Sequence, residues 1–434
     1  MTFSSSLFFA KSLIFPKAEK KSSARKSLFG AMLCIGLSIV PLVVVVSVTN
    51  GMIEGMTERI ISLSSSHLQA YIAQNIDEVS SPQALRDYAK GLLEVGQVQK
   101  VYPQVELSAL AVGKNGRSGI EIRAMDQDIF STNQGFKTFF SVIEGSIEDY
   151  ERGEGKIAVI GKKLASDLQL HAGDSFRIIS TKRVNGKIAP KLTSFKIAAI
   201  VSSGYQELDQ FWVFIPLETA WSSLSLESAS YEIMIETEDA FSASLPRNQL
   251  LVREYFGRYA NVYRWDEIHA AEFENFSSTK VMLIFIMLLI VLVASVNISS
   301  AIIMLVMERR KEIAILKSIG ASPNGIKLSF LIAGLACAMG GILFGLPVGL
   351  LLSVNANNII RFIEIIINFF THFFTNAEIK LLDPAYYLAE IPVNLPWNQI
   401  FMIVAATLLL SVLVSYIPSK KAGKEKPLDI LRTL

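Results

Sequence analysis

The apolar run at residues 281–307 limits what this chain can fold into more than any other stretch. It contains no Asp, Glu, Lys or Arg, and it is longer than the roughly 20 residues that cross a bilayer core. Composition agrees, because only 18% of the residues are charged, against about 25% in soluble proteins. We therefore expect an integral membrane protein.

Three further apolar runs, at residues 28–48, 328–354 and 400–417, have the same character. The first follows a basic segment, but it is longer than the apolar core of a signal peptide (about 7–15 residues) and no cleavage signal follows it. We therefore expect an uncleaved span there, and we expect the last span to end at Pro418. A shorter apolar piece at residues 362–374 carries Glu364 and predicts an interfacial segment.

Lysines and arginines cluster before the first span, between the second and third, and after the fourth. Cytoplasmic loops carry such an excess, so both termini are expected in the cytoplasm. The predicted fold class is an integral membrane α-helical protein with four transmembrane helices and a large α+β periplasmic domain between the first and second spans. The predicted segments, in chain order, are a cytoplasmic amphipathic N-terminal segment (1–26), the first span (27–49), the periplasmic domain (50–278), the second span (279–307), a cytoplasmic hairpin (308–327), the third span (328–354), a periplasmic segment (355–398), the fourth span (399–418) and a cytoplasmic tail (419–434).

Strand-like and helix-like stretches alternate in the region between the first two spans. A helix is expected to continue from the first span to about residue 63. In the hairpin after the second span, Ser322 to Gly325 are expected to form a turn. The predicted strands are 98–105, 107–112, 119–123, 157–160, 176–179, 195–201, 212–215 and 231–235. The predicted helices are 82–93, 161–168, 217–224 and 240–255. Such mixing indicates one or two α+β units.

Several function classes are disfavoured by the sequence. Residues 320–327 come closest to a phosphate-binding loop, but Ile326 occupies the lysine position and no strand precedes it. The four spans hold no acidic residue, which argues against a proton-driven carrier. The net charge of +2 gives no field that would attract nucleic acid. The chain shows no catalytic, metal or cofactor motif, so we expect a non-enzymatic protein that itself binds no cofactor.

The hairpin after the second span carries the most specific signal. It opens with five charged residues in a row, Glu308, Arg309, Arg310, Lys311 and Glu312. A short amphipathic helix follows, with an apolar stripe formed by Ile313, Leu316 and Ile319, and Gly320 is expected to end it. Topology alone can make a short cytoplasmic loop basic and amphipathic. A charged helical hairpin between two spans is also well suited to receive force from a soluble partner.

Residues 308–321, Glu-Arg-Arg-Lys-Glu-Ile-Ala-Ile-Leu-Lys-Ser-Ile-Gly-Ala, resemble the coupling segment of one type of ABC permease. That type includes lipoprotein-releasing permeases, macrolide-exporter-like proteins and the cell-division permease. The resemblance covers nearly the whole chain, through residues 47–52, 161–174, 195–217, 382–387 and 418–432. The matches outside the spans are similar to the lipoprotein-releasing branch.

The resemblance implies partners on both sides of a bacterial inner membrane. Ile313, Leu316 and Ile319 would fit a groove on a separate ABC ATPase subunit, which would bind the ATP and Mg. Arg309, Arg310 and Lys311 would surround that contact. A second permease, identical or related, would pair with this chain, and the substrate would be a lipoprotein taken from membrane lipid.

The resemblance also implies two further sites. Acyl chains would enter a groove between the first two spans, with candidate residues Val43, Val46, Met52, Ile53, Ile284, Met287 and Val291. A polar loop at 180–194 would bind a periplasmic lipoprotein carrier, with Pro190 stiffening a protruding turn. The candidate residues of that loop are Lys182, Arg183, Gly186, Lys187, Ile188 and Pro190. Plain helix packing and an ordinary solvated hairpin are the alternatives for these two stretches.

Two other functions stay open at this stage. A related permease would transmit force to a periplasmic enzyme or an efflux duct while using the same kind of ATPase. A membrane-anchored sensor would need no ATPase, and reversing the charges of Arg309 and Arg310 would then leave its function intact.

Overall fold

The computed structural model of the protein describes residues 8–12, 23–153, 155–184, 187–371, 381, 388 and 391–424. These residues divide into two compact units. The membrane unit comprises residues 8–12, 23–51, 276–371 and 391–424. The sheet unit comprises residues 52–275 with residues 381 and 388.

Both units are built from elements that we number along the chain. The helices are α1 (Ser23–Ile60), α2 (Pro82–Lys90), α3 (Ile129–Thr132), α4 (Gln134–Phe139), α5 (Ile147–Arg152), α6 (Lys162–Leu168), α7 (Gln206–Asp209), α8 (Leu217–Ser223), α9 (Leu245–Phe256), α10 (Trp265–Ile268), α11 (Ala270–Glu308), α12 (Arg310–Ser318), α13 (Pro323–Val354), α14 (Ala356–Thr371) and α15 (Trp397–Lys424). The strands are β1 (Leu68–Ile72), β2 (Val98–Val112), β3 (Arg117–Met125), β4 (Ser141–Gly145), β5 (Ile157–Gly161), β6 (Ser175–Val184), β7 (Lys187–Ser202), β8 (Trp212–Pro216), β9 (Ser230–Thr237) and β10 (Ala260–Arg264).

Within the described part of the chain, four helices are long and apolar enough to cross a membrane: α1, α11, α13 and α15. The four-span prediction is confirmed, with two corrections at helix ends. α15 continues through Pro418 to Lys424, because the buried side chains of Pro418 and Ser419 hold that turn against its neighbours. The expected turn at Ser322 is instead the start of α13, where the Ser322 hydroxyl accepts from the Gly325 N–H at 3.2 Å and Pro323 takes the first helical position.

Two smaller pieces complete the membrane unit. Residues 8–12 of the predicted N-terminal segment are helical, and Phe9 packs edge-on against Phe330 of α13. The rest of residues 1–22 lies outside the described residues. α14 falls on the apolar piece expected at the interface, and its phenylalanines Phe362, Phe369 and Phe370 are exposed.

Glycines bring α13 into backbone contact with α1. A Cβ atom at Gly341 would lie 2.8 Å from the carbonyl oxygen of Met32, and one at Gly345 would collide with the carbonyl oxygen of Gly36. Lipid tails are as apolar as leucine side chains, so spans associate mainly through such close packing. The glycine-rich third span therefore owes its composition to helix contact.

The sheet unit holds one mixed sheet, which contains ten strands among the described residues. The strand order is β10-β1-β9-β2-β3-β8-β5-β7-β4, and β6 pairs with β2 and β7. The two strands predicted at 98–105 and 107–112 are one strand, β2. β1, β4 and β10 were not predicted, and all five residues of β4 are exposed. Alternate residues of β3 enter two apolar clusters, Ile122 in one and Met125 in the other.

Arg123 on β3 is buried beneath the segment that follows α1. Its guanidinium donates to the carbonyl oxygens of Leu63 and Ser64, which belong to a π-helical turn over Ile61–Ser65. It also donates to Gln104 Oε1 at 2.8 Å and lies 4.7 Å from the centre of the Trp212 ring. Carbonyl groups at a helix end lack helical partners, so Arg123 supplies donors to them and attaches this turn to the sheet.

A carboxylic acid lies beside that guanidinium. Glu106 on β2 is directly opposite Arg123, and burial, a hydrogen bond with Glu121 and the charge of Glu232 raise the pKa of Glu106 to about 9. The folded protein thus keeps a proton that the unfolded chain releases above its ordinary pKa of 4.5. Stability should therefore fall as the pH rises through this window.

We expect the Gly345→Val substitution to loosen the contact between α1 and α13. The added methyl groups would meet the Gly36 backbone, and overpacking of this kind lowers the free energy of unfolding by about 2 kcal/mol. Thermal unfolding in detergent measures the change. The control is Gly30→Val, since a Cβ at Gly30 meets nothing within 4 Å. Equal losses in both variants would contradict the packing argument.

We expect Glu106→Gln to flatten the pH dependence of stability. Glutamine cannot ionise, so the part of the decline in the free energy of unfolding between pH 5 and pH 9 that Glu106 contributes, several kcal/mol in the unaltered protein, should disappear. Tryptophan fluorescence during thermal unfolding at a series of pH values reports it. Glu94→Gln, at an exposed position, should leave the profile unchanged. Parallel profiles for the Glu106→Gln variant and the unaltered protein would refute the assignment.

Candidate functional site

The hairpin between α11 and α13 places a short helix at one end of the membrane unit. α11 ends at Glu308, Arg309 leaves the helical path, and α12 runs to Ser318. Gly320 has a φ of +96°, a conformation that glycine adopts without strain. The predicted helix and its end at Gly320 therefore appear in the structure.

The apolar stripe of α12 does not form one exposed surface. Ile313 is 0% exposed and belongs to a buried cluster with Leu305 of α11 and Phe330 of α13. Leu316 packs on the edge of the same cluster, whereas Ile319 is 79% exposed. Ile313 therefore cannot enter a groove on another subunit in this conformation, because α12 lies against the bundle on that side.

The outward face of α12 combines charged and apolar residues. Ile315, which the sequence reading had not singled out, is 52% exposed. Lys311, Ile315 and Ile319 are spaced by four residues and so share one helix face. We call Lys311, Glu312, Ile315 and Ile319 the coupling face. Arg309 and Glu312 form an ion pair across the first turn of α12, while Glu308 and Arg310 are exposed beside them.

The candidate groove residues divide between two sides of α1. Val46, Met287 and Val291 lie in one buried cluster with Leu42, and Ile284 lines the adjoining cleft between α1 and α11. Val43 faces α13 instead, with its Cβ 3.0 Å from where a Gly349 Cβ would be. The two remaining candidates, Met52 and Ile53, belong to the sheet unit.

The cleft between α1 and α11 is almost closed and has a polar end. Its volume is about 10 Å³, which is at the lower limit for a single water molecule. Thr49, Asn50, Lys280 and Gln399 line it beside the apolar residues. The amide groups of Asn50 and Gln399 bond each other in both directions, at 2.5 and 3.3 Å. The apolar stripes gave no signal for this polar end.

The expected loop at residues 180–194 is mostly strand. β6 and β7 pair from Ser175 and Lys196 out to Val184 and Lys187, and over 180–194 their described residues pair only with each other. Pro190 lies within β7 opposite Thr181, not in a turn. We call residues 180–194 the arm.

The candidate residues of the arm are only partly described. Lys182 is exposed, Gly186 lies outside the described residues, and the side chains of Arg183, Lys187 and Ile188 are likewise not described. The sequence Asn185-Gly186 is the strongest short hairpin signal, and it favours the hairpin alternative for this stretch. Among the described residues, no group of three or more His, Cys, Asp or Glu side chains could hold a metal ion.

Comparison with known proteins places both units in described families. The model of the MacB-like periplasmic core domain matches residues 28–249, and the model of the FtsX-like permease C-terminal region matches residues 284–427. The lipoprotein-releasing system transmembrane protein LolC of Neisseria meningitidis is 24% identical over 402 residues, covering 92% of each chain. The corresponding LolE of Haemophilus influenzae is 25% identical over 402 residues, again 92% of each chain.

Proposed function

The chain belongs to the family of membrane proteins with a MacB-like periplasmic core domain and an FtsX-like permease C-terminal region, and we propose that it is a permease subunit of a lipoprotein-releasing ABC transporter. It would extract lipoproteins from the outer leaflet of the bacterial inner membrane and pass them to a periplasmic carrier. A separate ATPase subunit would bind and hydrolyse ATP. Two permeases, identical or related, would pair in one transporter, with both termini of this chain in the cytoplasm.

The coupling face is the observation that carries this proposal. It presents two exposed isoleucines, Ile315 and Ile319, beside charged side chains, on a helix joined directly to two spans. Interfaces between subunits commonly have an apolar centre and a polar rim. The other side of α12 is anchored by Ile313, so a push on the coupling face would move α11 and α13.

Extracting acyl chains from the membrane requires an energy source such as ATP hydrolysis. Each buried CH₂ group contributes about 0.8 kcal/mol to membrane anchoring, so removing several acyl chains together costs tens of kcal/mol at face value. The closed cleft between α1 and α11 would have to open to accept these chains. ATP-driven motion of α11 is a direct way to open and close it.

The arm supports a role in delivery. It extends as two strands that have no third partner among its described residues, and Leu192 and Lys182 on it are both exposed. An exposed two-stranded hairpin with apolar and basic side chains offers a surface to a soluble carrier. The relatives that support this proposal are named as lipoprotein-releasing proteins.

The test of the function is purification of the tagged protein in mild detergent, with ATP hydrolysis measured on the eluate. We expect a small ATPase to co-purify and a triacylated lipoprotein to stimulate it. Hydrolysis without that stimulation would point to the force-transmitting relatives. A folded protein that brings down no ATPase would point to the sensor alternative.

We expect Ile315→Asp and Ile319→Asp each to weaken binding of the ATPase subunit at least tenfold, because a carboxylate would be buried in an apolar contact. The amount of ATPase retained on the immobilised permease measures this. Asn324→Asp is the matched control, since it adds the same charge at an exposed position in the first turn of α13, where a negative charge is favourable. Full ATPase retention by the Ile319→Asp variant would remove the coupling face from the mechanism.

We expect a disulfide between Val46→Cys and Met287→Cys to lock the cleft between α1 and α11. Both positions lie in one buried cluster, and Cys34 and Cys337 would be replaced by serine beforehand. The oxidised protein should retain the ATPase subunit yet release no lipoprotein, and reduction should restore release. Normal release by the fully cross-linked protein would show that acyl chains use another route.

A further inference from the structure

The end of α15 is attached to α12 although the two helices are far apart in the chain. The Lys317 ammonium donates to the carbonyl oxygen of Gly423 at 2.6 Å. Gly423 lies near the end of the described part of α15, which runs to Lys424. This hydrogen bond joins a side chain of α12 to the backbone of α15.

Close packing surrounds this hydrogen bond. A Cβ atom at Gly423 would lie 2.8 Å from the carbonyl oxygen of Pro323, so the last turn of α15 touches the first turn of α13. Ala422 is fully buried in the same cluster as Ile313 and Ile326. Residues of α12, α13 and α15 therefore meet in one place, directly behind the coupling face.

A second lysine holds α15 one to two turns further along. The ammonium of Lys327, in the second turn of α13, lies 4.1 Å from the centre of the Tyr416 ring. A cation over an aromatic face is attractive, and more so where water is excluded. Lys317 and Lys327 therefore contact α15 at two points.

The opposite end of α15 reaches the cleft between α1 and α11. Gln399 is in its first turn, and its amide pairs with Asn50 at the polar end of that cleft. A helix of 28 residues spans about 40 Å. One continuous helix therefore contacts α12 near one end and the cleft at the other.

No short stretch of backbone joins α15 to α12. α12 is joined through the chain to α11 and α13, whereas α15 contacts it only through side chains and packing. We propose that Lys317 is a positioning residue that makes α15 move with α12, so that motion started at the coupling face reaches the polar end of the cleft through α15 as well as through α11. The inference rests on the proposed function, because it assigns a route for the ATPase-driven motion.

The test compares Lys317→Met, Lys317→Arg and Lys420→Met in the permease–ATPase complex reconstituted in liposomes. The measured quantity is lipoprotein released per ATP hydrolysed. Lys317→Met should lower this ratio by about tenfold, the effect expected when a charged hydrogen-bond donor is lost, while ATPase binding stays intact. Lys317→Arg should retain most of the ratio, since a guanidinium can donate to the same carbonyl. Lys420→Met removes an equal charge at an exposed position on α15 and should have no effect.

A second measurement reports on the contact between Lys317 and Gly423. Hydrogen exchange of the backbone amides at residues 419–423 should change when ATP is added to the unaltered complex, and Lys317→Met should abolish that response. An unchanged release ratio in Lys317→Met, or an equal loss in Lys420→Met, would overturn the proposal. It would also be overturned if Lys317→Met lost ATPase binding in proportion to its loss of release. If the unaltered complex releases no lipoprotein, the proposed function fails, and the ATP response of residues 419–423 still decides the role of Lys317.

Discussion

Close contact between α13 and its neighbours is the constraint on which the rest of the membrane unit depends. Gly341 and Gly345 admit the backbone of α1, and a Cβ at Gly334 would collide with Ser415 of α15 and come within 2.8 Å of Ile302 of α11. α13 therefore touches the other three spans at positions where larger side chains would not fit. Because lipid provides no hydrophobic force between spans, this contact decides how they are arranged. α12 precedes α13 by one loop, so the packing of α13 also determines where α12 lies.

The same packing explains why one face of α12 is buried and the other is exposed. Ile313 contributes to the cluster behind α12, and Ile315 and Ile319 remain outside. An anchored inner face is a physical requirement for a helix that transmits force, because a helix resting only on a partner would rotate without moving the spans. Lys317 extends the anchor to α15, which is joined to α12 by no nearby stretch of chain.

The sequence predicted the features that depend on composition and missed those that depend on neighbours. Uncharged runs identified the spans. Helical periodicity located the stripe at Ile313, Leu316 and Ile319, but an apolar stripe can face either a bundle or a partner subunit, and only the fold decides between them. Proline interrupts isolated helices and so predicted a helix end at Pro418, whereas in the fold Pro418 and Ser419 are buried and the helix continues past them. The polar residues of the arm favoured a loop, whereas the fold pairs them as two strands with Ser180 and Thr193 buried.

The closed cleft between α1 and α11 bears on how a substrate could be admitted. Separating Val46 from Met287 exchanges side-chain contacts for acyl-chain contacts of similar strength, so the apolar part of the cleft would resist opening little. The amide pair of Asn50 and Gln399 differs, because polar groups that lose partners near hydrocarbon are destabilised by about 1–3 kcal/mol each. The polar end is therefore the part of the cleft where opening meets the larger barrier. It is also the part that α15 reaches, so the helix that contacts α12 near its other end also forms the contact that most opposes opening.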